Sequence, residues 1–246
     1  MVEKSSNDAR RIERHELVDD IRRQVAFGKF GGSLKDFSAT QLGVFASKEA
    51  IQRSGTKPED IDHVVFGNAS QTSADAIYLA RHVGLNAGVP NTVPALTLNR
   101  LCGSGFEAII EAARQILIGE SSVVLAGGTE SMSQSPFIVR GTRFGVNLGQ
   151  PMKFEDQLWE ALTDPNCGFS MAQTAENLAD RMKISRTECD LYAYLSQMRA
   201  KDAILGGRFK EEIAPVELKS RKGVKIFDTD EHPRPETTME QLSTLA

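Results

Sequence analysis

The sequence predicts an α/β fold: a layered αβα core with a mixed, mostly parallel sheet, followed by an inserted loop domain. Between residues 27 and 130, helical apolar periodicity alternates with short β-branched runs, and turn residues separate these segments. After residue 130 the chain becomes irregular. Because a strand, a helix and a second strand in series form a right-handed crossover between parallel strands, the alternation favours one sheet with helices on its faces.

The first predicted helix begins after Ser38. Ser38 and Gln41 have the spacing of a capping box, and apolar residues follow at helical spacing as far as Gly55. Residues 61–66 form a β-branched and aromatic run that predicts a strand, and SADAIYLARHVGL predicts a second helix.

Three segments in the middle of the chain complete the predicted core. TVPALTLNRLC is extended, GFEAIIEAARQILIG is helical, and SSVVLAGG is a strand that ends in two glycines. The helix is apolar around most of its circumference, which predicts burial at the centre of the fold.

The chain after residue 130 predicts a second region. A long irregular stretch comes first, which in a compact protein usually has a function. MAQTAENLADRMK and the segment from Ser185 to Gly207 then predict helices, the second with a capping box to Glu188, and APVELKSRKGVKIF predicts a hairpin. The predicted partition is a tail over 1–26, a core over 27–130 and a loop domain over 131–246.

Composition excludes several classes of protein. A net charge of −4 gives no reason to expect nucleic acid as a partner. No apolar run approaches the roughly 20 residues that a membrane span needs, so we expect a soluble protein. Three cysteines at wide spacing match no zinc-ligand pattern and favour a reducing compartment. The first 26 residues mix basic and acidic side chains, unlike a typical secretory signal or transit peptide.

Cys102 is the candidate nucleophile. In NRLCGSGFEAI it ends an extended run where a helix starts, so the helix's free N–H groups and positive dipole end favour its thiolate form. Gly103 and Gly105 leave space for a substrate to approach the sulfur. The alternative interpretation is a buried cysteine that serves as a small hydrophobic residue. Spacing alone does not decide between the two.

Four stretches resemble the thiolase family, in the order that the family has them. They are NRLCGSGFEAI, GGTESMSQSPF, MAQTAENLA and DEHPRPETT, and the likeness extends from about Phe27 to the last residue. SADAIYLARHVGL and EDQLWEALTD look most like the mitochondrial, fatty-acid β-oxidation branch. Ser170, where biosynthetic members carry a histidine, favours the same branch.

The resemblance implies an acyltransferase that cleaves 3-ketoacyl-CoA through an acyl-cysteine at Cys102. It assigns Arg234 and Thr237 to the nucleotide end of CoA, and Met171 to the acyl pocket. An arginine suits this place because its planar guanidinium binds phosphate or stacks on adenine. CoA is then a co-substrate, with no permanently bound cofactor and no metal. The resemblance also implies a homo-oligomer, or pairing with a full-length thiolase, in mitochondria, with cytoplasm or peroxisome as alternative locations.

The other histidines and cysteines are not assigned to catalysis. His232 stands in a charged, proline-containing turn and is interpreted as a surface residue. His82 is predicted to serve packing or a subunit contact rather than proton transfer. Cys167 and Cys189 are predicted to be structural. His63 begins a strand, and His15 lies in the tail.

The sequence also departs from the family pattern. Thiolases continue into a second, similar half with a Gly-His-Pro histidine and a Cys-x-Gly-Gly-Gly cysteine, and neither motif occurs here. The family's opening strand is replaced by DDIRRQVA, where a strand is not expected. We therefore expect a truncated thiolase with uncovered apolar surface and weak activity on its own.

Two other interpretations remain open. One is a non-catalytic remnant that binds CoA or pairs with a full-length subunit. The other is a related condensing enzyme such as a ketoacyl synthase, which the TAENLA segment and the long insertion after Glu130 disfavour.

Overall fold

A computed structural model describes residues 23–221 and 223–245, so residues 1–22 of the predicted tail, including His15, lie outside the description. The helices are α1 Ala39–Ser54, α2 Leu79–Ala87, α3 Ser104–Ile118, α4 Gln157–Leu162, α5 Met171–Met182, α6 Arg186–Leu205 and α7 Met239–Ser243. The strands are β1 Gln24–Val25, β2 His63–Gly67, β3 Ala95–Leu98, β4 Val124–Gly128, β5 Phe137–Ile138, β6 Glu155–Asp156, β7 Thr163–Asp164, β8 Phe169–Ser170, β9 Ile213–Ala214, β10 Val216–Ser220 and β11 Gly223–Phe227.

The central sheet has three parallel strands in the order β3-β2-β4. Val65 in β2 is paired with Leu96 in β3 and with Ala126 in β4. Antiparallel pairs form separately, between β5 and β6, β7 and β8, and β10 and β11. The predicted α/β fold with a mostly parallel sheet is therefore confirmed.

Side chains of the middle strand alternate between two helical layers. Val64 and Phe66 face α1 and α2, where Gly84 and Gly43 allow the helices to approach them closely. Val65 is fully buried on the opposite face, where α3 packs against β2 and β4. The three layers therefore follow from the alternation of side chains along β2 and from the glycines of α1 and α2, which let these helices approach the sheet.

The sequence signals for helix starts and ends are confirmed. Ser38 caps α1 through the predicted box with Gln41, and Gly55 ends it in the left-handed conformation. The predicted box between Ser185 and Glu188 caps α6 in the same way.

The prediction that the helix over 106–118 is buried at the centre is wrong for this chain. Only a stripe of small or polar residues on α3 is buried, formed by Ser104, Ala108, Ala112 and Gln115. The outward apolar side chains, which we call the α3 outer face, are Phe106, Ile109, Ile110, Leu117 and Ile118. They are 40 to 69% exposed, because no other described element covers this side. The expected uncovered apolar surface is thus present.

A second apolar cluster joins the two ends of the described chain. Ala26 and Leu34 pack with Ile213, Val216 and Phe227. The doubted first strand does exist, since β1 pairs in parallel with β9 over two residues outside the central sheet. The predicted partition at residues 26 and 130 stays a prediction.

The irregular segment after residue 130 consists of short antiparallel pairs and open loops. Phe144 and Leu148 are almost completely exposed, and Trp159 is 64% exposed. No helix in the described ranges combines the length and apolar character that crossing a membrane requires.

Candidate active site

Cys102 lies in the turn that connects β3 to α3, at the carboxyl end of the parallel sheet. Its side chain is exposed, so a substrate can reach the sulfur. The predicted helix GFEAIIEAARQILIG begins one residue earlier than expected, at Ser104, with Gly103 as its N-cap. The Ser104 N–H donates to the Leu101 carbonyl at 3.0 Å, and Gly103, which has no side chain, leaves the amides that follow Ser104 without a side-chain cap.

Two strand-end glycines bring the start of α3 directly onto the sheet. A Cβ atom on Gly67 would lie 2.4 Å from the backbone carbon of Ser104, and one on Gly128 would lie 2.8 Å from the Cα of Gly105. Any larger residue would push the helix away. The last glycines of β2 and β4 therefore determine the position of α3 on the sheet, and with it the position of the Cys102 turn.

The residue before Cys102 adopts an unusual backbone conformation. Leu101 has a φ of +49°, which costs a non-glycine residue about 1–2 kcal/mol. Its N–H donates to Asn99 Oδ1 at 2.8 Å, and its carbonyl accepts from Ser104 Oγ at 2.6 Å. Ser104 Oγ also accepts from the Arg100 N–H at 2.8 Å. Side-chain hydrogen bonds thus hold both backbone polar groups of Leu101.

Glu130 is a partly buried carboxylate of this region with a shifted pKa. It accepts hydrogen bonds from the Ala69 N–H at 2.8 Å, from the Ser70 N–H at 3.3 Å and from Asn68 Nδ2 at 2.9 Å. Burial raises the pKa of Glu130, and these three donors offset the rise only in part. The carboxylate therefore binds the backbone that follows β2 at some electrostatic cost.

A polar groove opens beside the turn, at the carboxyl ends of β2 and β3. It is lined by residues 68–71, 76–77, 97–99, 157 and 161. Asn99 therefore contributes both to this groove and to the Leu101 turn.

Arg234 and Thr237 share a second groove with Gln197 of α6. The Thr237 hydroxyl donates to the Arg234 carbonyl at 2.8 Å, and the Arg234 N–H donates to Gln197 Oε1 at 2.7 Å. Within the described chain, no ion pair or hydrogen bond involves the Arg234 guanidinium, and the side chain is exposed. Neither Cys102 nor Met171 lines this groove.

Met171 is the first residue of α5 and is 52% exposed. Ser170 is the N-cap of this helix and forms a capping box with Gln173. Serine is a favourable N-cap residue, and Ser170 has that role in the structure.

The predictions for the remaining histidines and cysteines are confirmed only in part. His232 is exposed, as predicted. His82 Nδ1 lies 3.1 Å from Asp75 Oδ2, and its ring stacks on Tyr78. Cys167 and Cys189 were expected to pack within the structure, and this prediction is wrong because both are exposed. Cys189 lies on α6, where Asp190 is the buried residue.

The prediction of the site missed Asn99, Ser104 and Glu130. Asn99 stands two residues before the left-handed Leu101, a spacing that is typical of an Asx turn. That spacing is a signal in the sequence. The link from Glu130 to residues 68–70 spans about sixty positions and leaves no local pattern.

Comparison with known proteins agrees with this architecture. The family model for the thiolase N-terminal domain matches residues 20–246. Human mitochondrial 3-ketoacyl-CoA thiolase is 54% identical over 223 residues, which are 91% of this chain and 56% of that protein. The chain therefore spans little more than half the length of the curated relatives that it matches.

Two solved structures of the human protein have the same fold. The crystal structure of human mitochondrial 3-ketoacyl-CoA thiolase superposes with a TM-score of 0.88 at 53% identity, over 92% of this chain and 57% of that one. The structure of its complex with CoA gives a TM-score of 0.87 at 52% identity, over 92% and 56% of the two chains. With a family match over nearly the whole sequence and a shared fold, the chain belongs to the thiolase family, through its N-terminal domain.

Proposed function

We propose that this chain carries the nucleophile of a 3-ketoacyl-CoA thiolase, an acyltransferase of fatty-acid β-oxidation. The single observation that supports this most is the exposed Cys102 on the turn before an α3 helix whose N-cap is a glycine. The match to thiolases over 91% of the chain supports the same reaction class.

The proposed reaction has two steps. The Cys102 thiolate attacks the keto carbon of a 3-ketoacyl-CoA, the bond between C2 and C3 breaks, and its electron pair leaves as the enolate of acetyl-CoA, which takes a proton. The thiolate of a second CoA then attacks the acyl-cysteine and releases the shortened acyl-CoA and the Cys102 thiolate. The resemblance assigns the proton transfers to the family's second half.

Mass spectrometry of the Cys102 peptide after incubation with a 3-ketoacyl-CoA tests this proposal. We expect the shortened acyl group on Cys102 of the parent chain and none on a Cys102→Ser variant. Because the method detects a single turnover, slow chemistry is enough. Absence of any acyl group on Cys102 after prolonged incubation would contradict the proposal.

Arg234 and Thr237 are proposed to bind the nucleotide end of CoA. An exposed guanidinium with no protein partner in the described chain is free to bind phosphate. Arg234→Ala should weaken CoA binding about tenfold to a hundredfold, the size of a hydrogen bond to a charged group, as measured by calorimetry. Arg208→Ala, an exposed arginine outside the groove, is the matched control. Equal affinities for the two variants would contradict the assignment.

Met171 is proposed to line the acyl pocket, and CoA to be a co-substrate rather than a bound cofactor. The exposed side chain at the start of α5 is compatible with contact to a substrate. Since CoA is bound in the crystal structure of the human relative, the same ligand is the first to test here. A mitochondrial location is proposed because the human relative is named as mitochondrial.

A second role is favoured by the α3 outer face. Its exposed apolar residues suit association with a second copy or with a full-length thiolase subunit. Co-purification with such a subunit, together with an unmodified Cys102, would support pairing without catalysis.

A further inference from the structure

Two successive levels of hydrogen bonds hold the turn before Cys102 in place. At the first, Asn99 Oδ1 accepts from the Leu101 N–H and Ser104 Oγ donates to the Leu101 carbonyl, so the left-handed conformation of Leu101 is fixed from both sides. Since Leu101 itself is 70% exposed, packing of its side chain contributes little to this conformation. Hydrogen bonds therefore determine the direction in which the chain enters Cys102.

At the second level, Asn99 is anchored to the loop that follows β2. Its Nδ2 donates to the Ala69 carbonyl at 3.1 Å, while the Asn68 N–H donates to the Leu98 carbonyl at 3.0 Å. Asn99 can thus hold Leu101 in place only while residues 68–70 keep their position.

Glu130 keeps that loop in position. Its carboxylate accepts from the amides of Ala69 and Ser70 and from Asn68 Nδ2, and Asn68 is 6% exposed. No ion pair within residues 23–221 and 223–245 involves Glu130, so N–H donors alone compensate this half-buried charge. Because Oε1 accepts from Asn68 Nδ2 while Oε2 accepts from the Ala69 N–H, a glutamine, with only one acceptor oxygen, would leave one of these donors facing its own amide N–H group.

We infer that Asn99 and Glu130 are positioning residues for Cys102, acting in series through residues 68–70 and Leu101. The inference rests on the proposed function of Cys102 as the nucleophile. The two residues fix the conformation of Leu101 and thereby the position of the exposed Cys102 side chain at the start of α3.

Alkylation of the chain by iodoacetamide tests this inference without requiring acyl transfer. Cys102, Cys167 and Cys189 are all exposed, so the last two serve as references within the same molecule. The variants are Asn99→Ala, Glu130→Gln and the double variant. The control is Glu231→Gln, which removes a carboxylate that accepts backbone amides of a different loop, at Lys29 and Ser33.

The expected result is local and non-additive. Asn99→Ala should slow alkylation of Cys102 about tenfold at pH 7 relative to both reference cysteines, and Glu130→Gln should slow it in the same direction. Because Glu130 acts through Asn99, the double variant should match Asn99→Ala within about twofold. Glu231→Gln should leave all three rates unchanged.

Three results would overturn the inference. They are a Cys102 rate within about twofold of the parent in both single variants, effects that multiply in the double variant, and equal changes at all three cysteines, which indicate general loosening. Failure of acyl transfer with these alkylation results intact would reject the proposed function alone.

Discussion

At the scale of single residues, the position of Cys102 depends on two glycines whose lack of a side chain lets α3 approach the sheet. Gly67 lets the first turn of α3 lie against the carboxyl end of β2, and Gly128 does the same at β4. The position of Cys102 follows from this close approach, since the turn that carries it joins β3 to the helix.

Gly67→Ala tests that dependence. The added Cβ would meet Ser104 backbone atoms at 2.4 Å, so α3 must shift, and we expect a loss of about 1–3 kcal/mol in the free energy of unfolding. Urea titration measures the change.

Gly105→Ala is the matched control on the neighbouring helix. Its Cβ would meet no atom within 4 Å, and alanine favours a helix by about 0.5–1 kcal/mol over glycine. Equal destabilisation by the two substitutions would contradict the proposed role of Gly67.

At the scale of elements, the sequence predicts what local signals determine. The capping boxes at Ser38 and Ser185 and the alternation around Val65 are read from neighbouring residues, and the structure confirms them. Pairing of Gln24 with Ile213, or of Glu130 with residue 69, depends on contacts distant in sequence and has no local pattern. Periodicity alone predicts a buried α3, because it shows which residues are apolar but not what covers them, whereas the departure from the family pattern predicts the uncovered apolar surface that is observed.

One such distant contact connects the turn before the proposed CoA groove to the start of the core. The Glu231 carboxylate accepts from Ser33 Oγ at 2.6 Å and from the Lys29 N–H at 3.0 Å. The Ser33 hydroxyl and these amides lower the pKa of Glu231 despite opposing desolvation. Charged Glu231 therefore stabilises the link between the two segments.

The pH dependence of stability follows from the lowered pKa. Because the folded pKa lies below the unfolded one, the stabilisation is complete above the ordinary value of 4.5 and is lost as the pH falls through the folded pKa. We expect Glu231→Gln to cost about 1 kcal/mol at pH 7, limited by solvent exposure, and to flatten this acid dependence. Denaturant titrations across that range measure both effects.

Glu236→Gln is the control for that titration. Its side chain is 89% exposed and lies 3.9 Å from Lys201, so we expect little change in stability or in acid dependence. If the free energy of unfolding fell equally with pH in the parent and in Glu231→Gln, the proposed role of Glu231 would be contradicted.

At the scale of the whole molecule, the α3 outer face presents several large apolar side chains to solvent on one side of a single helix. Phe106, Ile109 and Ile118 are each at least 60% exposed on one helix. Contiguous apolar surface of this kind usually marks an interface.

We therefore expect the chain to self-associate as its concentration rises, in sedimentation velocity. Ile109→Lys should shift the distribution towards monomer with little change in stability, about 0.5 kcal/mol or less, because the side chain is already exposed. Val224→Lys changes an equally exposed residue of the β10–β11 hairpin and should have no effect on association. A monodisperse monomer with high thermal stability would contradict this expectation.

The most direct test of the central claim is the mass of the acyl group that acetoacetyl-CoA leaves on the chain. Thiolytic attack at the keto carbon leaves an acetyl group, whereas simple exchange at the thioester leaves an acetoacetyl group. We predict acetyl on Cys102 alone, removed by a chase with CoA, and none on Cys167 and Cys189, which are also exposed. Acetoacetyl on all three cysteines, or no adduct on Cys102, would contradict its assignment as the thiolase nucleophile.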